Sequence, residues 1–452
     1  MKKDNVTILG GGLCGSLLSV MLARRGIKVT LLERRADPRK DGTEVGRSIN
    51  LVLSSRGIRA LKHADLFEQI EPLLMPMQGR LIHDEDGKTE LHPYGQKETE
   101  VIYSVSRAEL NRKLIECADS AHNVSVRFQH ESVSYYPEEA TLRVRDHIKG
   151  SDYDLKARPL IAADGAGSRV RRAFNNTDAL SGTEELLGHS YKELVIPSGP
   201  DGEFQLSPDA LHIWPRGEYM LIALPNPGGD FTLTLFFPAE GDISFSSLDS
   251  DQRVTDFFNE TFADAVPLIE DLVGSWNRNP VGILGTVRCK NWHEGGNLLL
   301  IGDAAHAVVP FHGQGMNLAF EDCVILDQVL DNPDADWATV FSVYQAEQIA
   351  NANAIADMAL ENYVEMRDTV RDPKYLLRKE LSFELERRLP DRFIPRYSMV
   401  MFHDEIPYAV AQERGTIQQR LLKELTEDVD SIDKIEMDEA VRLVESRLPP
   451  VH

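Results

Sequence analysis

Val6-Thr7-Ile8-Leu9-Gly10-Gly11-Gly12-Leu13-Cys14-Gly15 decides the fold of this 452-residue chain. Val6–Leu9 is an apolar strand that runs without a spacer into G-x-G-x-x-G. An amphipathic helix follows to about Arg25, and a second strand, Lys28–Leu32, ends in Glu33. Strand, glycines, helix, strand and terminal acid together make the dinucleotide-binding βαβ unit. Gly10 permits the tight turn, Gly12 lets the backbone approach a pyrophosphate, and Gly15 lets helix and strand pack closely. Leu13 opens the helix. Glu33 is placed to accept hydrogen bonds from an adenosine ribose, with Arg34 beside it. A tight turn with no ligand is the plain alternative, and the terminal acid weighs against it.

Two later motifs share this design. Ala163-Asp164-Gly165-Ala166-Gly167-Ser168-Arg169-Val170-Arg171 follows an apolar strand, 159–162, with Ser168 placed as a helix N-cap. Taken alone it is equally an ordinary strand-to-helix turn. Leu298–Asn317 reads LLLIGDAAHAVVPFHGQGMN. Here a strand delivers Gly302-Asp303, a Pro/Gly-rich loop follows, and a helix runs from about Gly315 to Leu330. A carboxylate and a helix N-terminus are thus brought together, one suited to sugar hydroxyls and the other to negative charge.

In order and spacing these three motifs resemble the FAD-dependent aromatic hydroxylases of the para-hydroxybenzoate hydroxylase type, over essentially the whole chain. Further blocks resemble the kynurenine 3-monooxygenase branch of that family: Gly46–Leu51, Leu211–Pro215, Pro310–Asn317, Glu361–Met366 and Phe393–Ser398. The resemblance implies bound FAD, NADPH as a transient reductant without a nucleotide fold of its own, and O2. It implies conversion of L-kynurenine to 3-hydroxy-L-kynurenine through a C4a-hydroperoxyflavin, within tryptophan catabolism and NAD biosynthesis. The ring amino group already activates C3, so no residue is assigned as catalytic acid or base, and no metal is expected. For the flavin the motifs imply Gly10, Gly12, Leu13, Gly15, Glu33, Arg34, Arg47, Arg107, Asp164 and Asp303. The backbone N–H groups of Gly315, Met316 and Asn317 would face the flavin ring and favour its anionic reduced form. For the substrate the resemblance implies a carboxylate-holding set of Arg80, Tyr94, Asn362 and Tyr397. Met366, Leu211, Met220, Ile222, Leu224, Phe236, Pro310, Phe311 and His312 would line the ring side. Read from the residues alone, Arg80 does not stand out and reads as an exposed strand arginine, Asn362 and Met366 share a helix face, and His306 is structural.

The expected architecture is α/β (α+β): a Rossmann-like FAD-binding domain, an antiparallel-sheet substrate domain and a C-terminal helical region. The FAD-binding domain takes residues 1–75, 106–180 and 283–335. The substrate sheet takes 76–105 and 181–282, and the resemblance implies that the helical region 336–452 caps the substrate pocket. Ser106 caps a helix to about Ala118, and residues 189–237 alternate as strands. The helical tail is open to two readings, a solvated bundle or an oligomer interface such as a homodimer.

A net charge of −23 argues against nucleic acid and anionic membranes as partners. Cys14, Cys117, Cys289 and Cys323 lie far apart, without metal-ligand spacing. Free thiols and a cytoplasmic, soluble protein are therefore expected, as the chain shows no secretory segment and no run long enough to span a bilayer. Two alternatives stay in view: a hydroxylase of the same type acting on another aromatic such as a phenolic acid, and a non-oxygenating FAD-binding sensor.

Overall fold

The computed structural model describes residues 5–40, 49–175, 182–366 and 372–451. They form two compact units. The first takes residues up to Met75, Tyr103–Gly188 and Gly282–Ala356; the second takes Pro76–Ile102, His189–Val281 and Asp357 onward.

The first unit is built on a six-stranded sheet. Its order is His293–Glu294, Leu298–Leu300, Leu160–Ala162, Asn5–Leu9, Lys28–Glu33, Val124–Phe128. All neighbours are parallel except the first pair. Parallel strands covered on both faces must be apolar throughout, and Val6, Ile8, Leu31, Ile161 and Leu299 are almost wholly buried. The register pairs Leu9 with Leu32 and with Ala162, and Ala162 with Leu300. The ends of these four strands therefore emerge at one level of one sheet edge, at Gly10, Glu33, Ala163-Asp164 and Ile301-Gly302. Ligands of open parallel sheets collect at such carboxyl edges.

Helix Leu13–Arg24 follows the first glycine turn and helix Gly315–Val329 the last. Helix Ser55–His63 is tied to the latter by Arg56, which is buried and bonds Glu321 at 2.9 Å; Arg59 reaches the same oxygen at 2.8 Å. A short antiparallel pair, Asn50–Leu53 with Ile102–Ser106, leads into helix Arg107–Ser120. Ser106 accepts the Glu109 N–H at 3.4 Å, as its placement before an acidic first turn predicts.

The second unit holds a mostly antiparallel sheet. From residue 189 onward strand Gly182–Ile196 pairs with Phe231–Pro238, then come Tyr219–Pro225, Ala210–Arg216, Gly79–His83 and Thr89–Pro93. Ala210–Ile213 and Gly79–Ile82 run parallel. Strand parity sorts the side chains. Trp214, Leu221, Ala223, Leu233, Leu235 and Phe237 face one way, and with Val254, Phe258, Phe262 and Trp276 they form a buried core. Helices Asp251–Thr261 and Leu272–Arg278 supply that cover. Helices Pro373–Arg388, Tyr408–Leu425 and Met437–Arg447 make a separate small core around Leu381, Leu385, Leu421 and Val444.

On the covered face His212 bonds His83 through Nδ1 at 2.9 Å and the Ser207 carbonyl through Nε2 at 2.8 Å. A carbonyl only accepts, so His212 carries its proton on Nε2 and accepts from His83. Burial pushes His212 down to about 4, against an ordinary 6.5. The unfolded chain then binds more protons than the folded one between these values. Stability is full above about pH 6.5 and falls as pH drops towards 4, by an amount on the order of 3 kcal/mol. Melting curves at pH 7 and pH 4.5 test this: the wild type should lose more than His212→Gln, and parallel losses would remove His212 from the account.

Candidate functional site

The first unit's carboxyl edge is built by glycines that no other residue could replace. Gly10 has φ +104°, and a Cβ there would lie 2.3 Å from the Ala163 carbonyl oxygen. Gly15 passes so close to Gly10 that its Cβ would meet the Gly10 oxygen at 2.0 Å. Gly12 differs: a Cβ there meets nothing within 4 Å, so its backbone faces open space at the start of the helix. Glu33 is buried and accepts the Gly11 N–H at 2.8 Å and the Arg35 N–H at 2.9 Å. Those bonds fix its carboxylate beside the glycine turn and leave lone pairs for a ribose hydroxyl. Arg34 is exposed, on the Glu131 side.

Asp164 and Asp303 complete the edge. One Asp164 oxygen accepts the Arg169 N–H at 3.1 Å; the other is buried without a hydrogen-bond partner. Burial pushes its carboxyl above the ordinary value. Asp303 retains solvent access while standing in a region dense with protein. That enclosure pushes its carboxyl up, with Arg107 and His306 pulling it back. Arg107 and Asp303 are thereby brought together although 196 positions separate them in the sequence. The Gly302 backbone, at φ +60° and ψ −144°, is held by its N–H to Asp322 at 3.1 Å. Asp322 also bonds His306 at 2.8 Å and Gln348 at 3.1 Å. Burial opposes the His306 cation, but Asp322 outweighs it and raises the pKa. His306 is thus held in a buried pair with Asp322. Asp322, buried in a helix, had no local signal to announce it.

Past this turn, Pro310–His312 form a short 3-10 turn with Phe311 and His312 buried, and Gly313 turns the chain at φ +67°. Helix Gly315–Val329 starts there. The Asn317 side chain locks this start: its oxygen accepts the Ser54 N–H at 3.0 Å, and its amide donates to Val52 at 2.8 Å and Gly313 at 2.9 Å. The backbone N–H groups at Gly315, Met316 and Asn317 belong to the first helical turn, where no intrahelical partner exists. Arg47 lies outside the described residues.

These residues fit FAD. The open backbone at Gly12, the unpartnered Asp164 oxygen, the accessible Asp303 carboxylate and two helix starts match a dinucleotide of hydroxyls and phosphates ending in a ring that turns anionic on reduction.

The second unit holds the polar set expected for the substrate. Leu211 and Arg80 are register partners on parallel strands, so they share a face. The same parity puts Ile213, Met220, Ile222, Leu224 and Phe236 on it, through the pairs Ile213–Ile222 and Met220–Phe236. This face lies opposite the helix-covered core; its middle strands are apolar apart from Thr232 and Thr234, with Arg80, His92 and Glu90 towards one edge and Glu193 towards the other. Ile213 belongs to it by parity and was not picked out from the sequence.

Arg80 is buried, with its guanidinium 5.0 Å from the Tyr397 ring centre and 5.9 Å from that of Tyr94. The two phenols stack on each other at 5.5 Å. The Tyr94 hydroxyl is buried and makes no well-formed hydrogen bond; burial pushes its pKa well above the ordinary value, against the pull of nearby Arg80. Burial works against the Arg80 cation, yet Tyr397, Glu365, Tyr375 and Tyr94 hold its pKa above the ordinary value. Its nearest carboxylate is Glu365 at 3.6 Å, which accepts from the Tyr375 hydroxyl at 2.7 Å. Lys379 stands close by, pushed down to about 8 by burial and by Arg80. Asn362 and Met366 are buried one helical turn apart and bonded, Nδ2 to Sδ, at 3.3 Å. Glu365, Tyr375 and Lys379 went unnoticed in the sequence. Only the juxtaposition with Arg80, some 285 residues upstream of Glu365, singles them out.

Among the described residues no cluster of side chains could hold a metal ion, and no helix is long and apolar enough to cross a membrane.

A family model described as an FAD binding domain matches residues 3–195 and 274–358. The kynurenine 3-monooxygenase of Myxococcus xanthus is 44% identical over 99% of this chain and 96% of its own. That of Stenotrophomonas maltophilia is 45% identical over 98% and 97%. Among solved structures, the tetrameric form of 2-methyl-3-hydroxypyridine-5-carboxylic acid oxygenase superposes with a TM-score of 0.66 at 18% identity. It covers 83% of this chain and 96% of its own, a likeness of fold alone. Glycine turns suited to FAD, and relatives aligned end to end at this identity, lead to one conclusion: the chain belongs to the kynurenine 3-monooxygenase family of FAD-dependent monooxygenases.

Proposed function

We propose that the protein hydroxylates L-kynurenine at C3, using NADPH and O2, and releases 3-hydroxy-L-kynurenine. Bound FAD supplies the reduction of oxygen and its transfer to the ring; the protein's own residues bind, orient and exclude water. Glu33 would hold the adenosine ribose. Asp164, Asp303 and Arg107 would meet the ribityl and diphosphate region, and the start of helix Gly315–Val329 would stabilise negative charge on the reduced ring.

The observation that carries the substrate reading is Arg80, buried against two stacked tyrosines at the polar edge of a sheet face whose middle is mostly apolar. Kynurenine has the matching form, an α-carboxylate at one end and an aromatic ring at the other. A guanidinium grips a carboxylate through two parallel N–H bonds. The Tyr94 and Tyr397 hydroxyls and the Asn362 amide would add neutral donors, and Met220, Ile222, Leu224 and Phe236 would hold the ring. No side chain is required as a base, because the ring amine already directs oxygen to the ortho carbon. Excluding water then decides whether oxygen reaches the ring or leaves as H2O2. A cytoplasmic location and a homodimer accompany this reading, the latter to be settled by sedimentation.

Aerobic NADPH oxidation with and without L-kynurenine, with products identified by mass spectrometry, tests the proposal. Kynurenine-dependent oxidation should yield kynurenine plus one oxygen at C3. NADPH loss with H2O2 and no hydroxylated product would reduce kynurenine to an effector and redirect the search to other aromatics.

A further inference from the structure

Two of the four residues assigned above to the substrate carboxylate have a charged neighbour in sequence, and these neighbours meet each other. Glu361 precedes Asn362 on helix Trp337–Val364, and Arg396 precedes Tyr397 at the start of helix Arg396–Met401. Arg396 Nη1 lies 2.5 Å from Glu361 Oε2. Successive residues on a helix point about 100° apart, so Glu361 and Asn362 cannot serve the same spot. Burial agrees: Asn362 is 4% exposed, whereas the Glu361 side chain is 52% exposed.

The arm of Arg396 is itself seated. Helix Tyr408–Leu425 presents Gly415 to it, and a Cβ at Gly415 would lie 2.3 Å from Arg396 Cδ and 2.7 Å from Cγ. The same helix grips the preceding segment at two further points. Gln418 donates to the Ile394 carbonyl at 2.7 Å, and Arg414 donates to the Arg392 carbonyl at 2.5 Å. It also reaches the Asn362 helix, through Gln412 and Asp357 at 3.2 Å. One helix thus holds the Tyr397 segment from behind, while the ion pair sets its distance from Asn362.

We infer that Arg396 and Glu361, with the Gly415 notch that seats the arginine, are positioning residues that fix the spacing of Tyr397 and Asn362 around the substrate carboxylate. The inference rests on the kynurenine reading above. Neither residue touches substrate or flavin in it. Their loss should therefore weaken substrate binding and spare the chemical step.

Steady-state kinetics on the FAD-loaded enzyme provide the test. Glu361→Gln and Arg396→Met should each raise KM for kynurenine about three- to tenfold, with kcat within about twofold and flavin content and Tm held. The double variant should do no worse than either single, because both remove one interaction. Arg396→Lys should recover part of the loss. Gly415→Ala, which alters no charge, should raise KM in the same way by displacing the arginine stem. Unchanged KM in the single variants, additive losses in the double, or losses of KM, kcat and Tm together would overturn the inference. A wild-type enzyme that fails to hydroxylate kynurenine would instead overturn the reading on which it rests.

Discussion

Arg80→Ala should raise KM for L-kynurenine by about 30- to 1000-fold while the protein stays yellow. Arg80 is 8% exposed, and removing its guanidinium does two things. The substrate carboxylate loses a charge-assisted partner in a site with little water to replace it. Glu365, 3.6 Å away, loses its counter-charge and then repels that carboxylate. Truncating one member of a buried, hydrogen-bonded charge pair costs about 2–4 kcal/mol, and each 1.4 kcal/mol is about tenfold in affinity. Arg80→Lys should recover only part of the loss, since an ammonium keeps the charge but not the planar fork. KM from initial rates, beside the ratio of flavin to protein absorbance, separates the outcomes. An unchanged KM would remove Arg80 from the site; a colourless protein would make it a folding residue.

Gly10→Ala should abolish FAD binding and destabilise the flavin unit by about 3 kcal/mol or more. Two costs combine. The backbone at φ +104° lies where an L side chain is strained by about 1–3 kcal/mol. The new methyl would also sit 2.3 Å from a carbonyl oxygen on the neighbouring strand's turn, which cannot move without displacing Asp164. Flavin content after purification and the melting temperature check both effects. Gly12→Ala is the control, because its Cβ meets no protein atom within 4 Å. It should leave the apoprotein as stable as the wild type and weaken only the approach of the diphosphate. Equal apoprotein stability for Gly10→Ala would refute the steric argument.

The flavin unit was legible because its turns are steric demands. Only glycine satisfies the contacts at Gly10 and Gly15, and an acid ending the second strand completes the pattern. The second unit's sheet was legible through alternation: Met220, Ile222 and Leu224 fall on one face by parity alone. What alternation does not reveal is the cover, and helices Asp251–Thr261 and Leu272–Arg278 follow from no strand pattern. Arg80 shows where local reading stops. An arginine on a strand looks the same exposed or buried; its role depends on Tyr94, Tyr397 and Glu365, which folding brings to it from other segments. Resemblance to a family supplied Arg80, Tyr94, Asn362 and Tyr397, but not Glu365, Tyr375 or Lys379, which carry no pattern of their own. Asp322 is similar: nothing near it in sequence tells that it orients the Gly302 turn.

The pairing of Leu298–Leu300 with Leu160–Ala162 also governs how the molecule is made. At a synthesis rate of about 5–20 residues per second, the later strand leaves the ribosome roughly 7–30 s after its partner. Until then Leu160–Ala162 is an open edge of a growing apolar sheet, with its backbone N–H and C=O groups unpaired on that side. The flavin turn at Asp303 cannot form on the nascent chain before that edge is closed. Cofactor capture is thereby confined to the time after Leu298–Leu300 has emerged, and a chain stalled between the two strands exposes a surface that invites aggregation and chaperones.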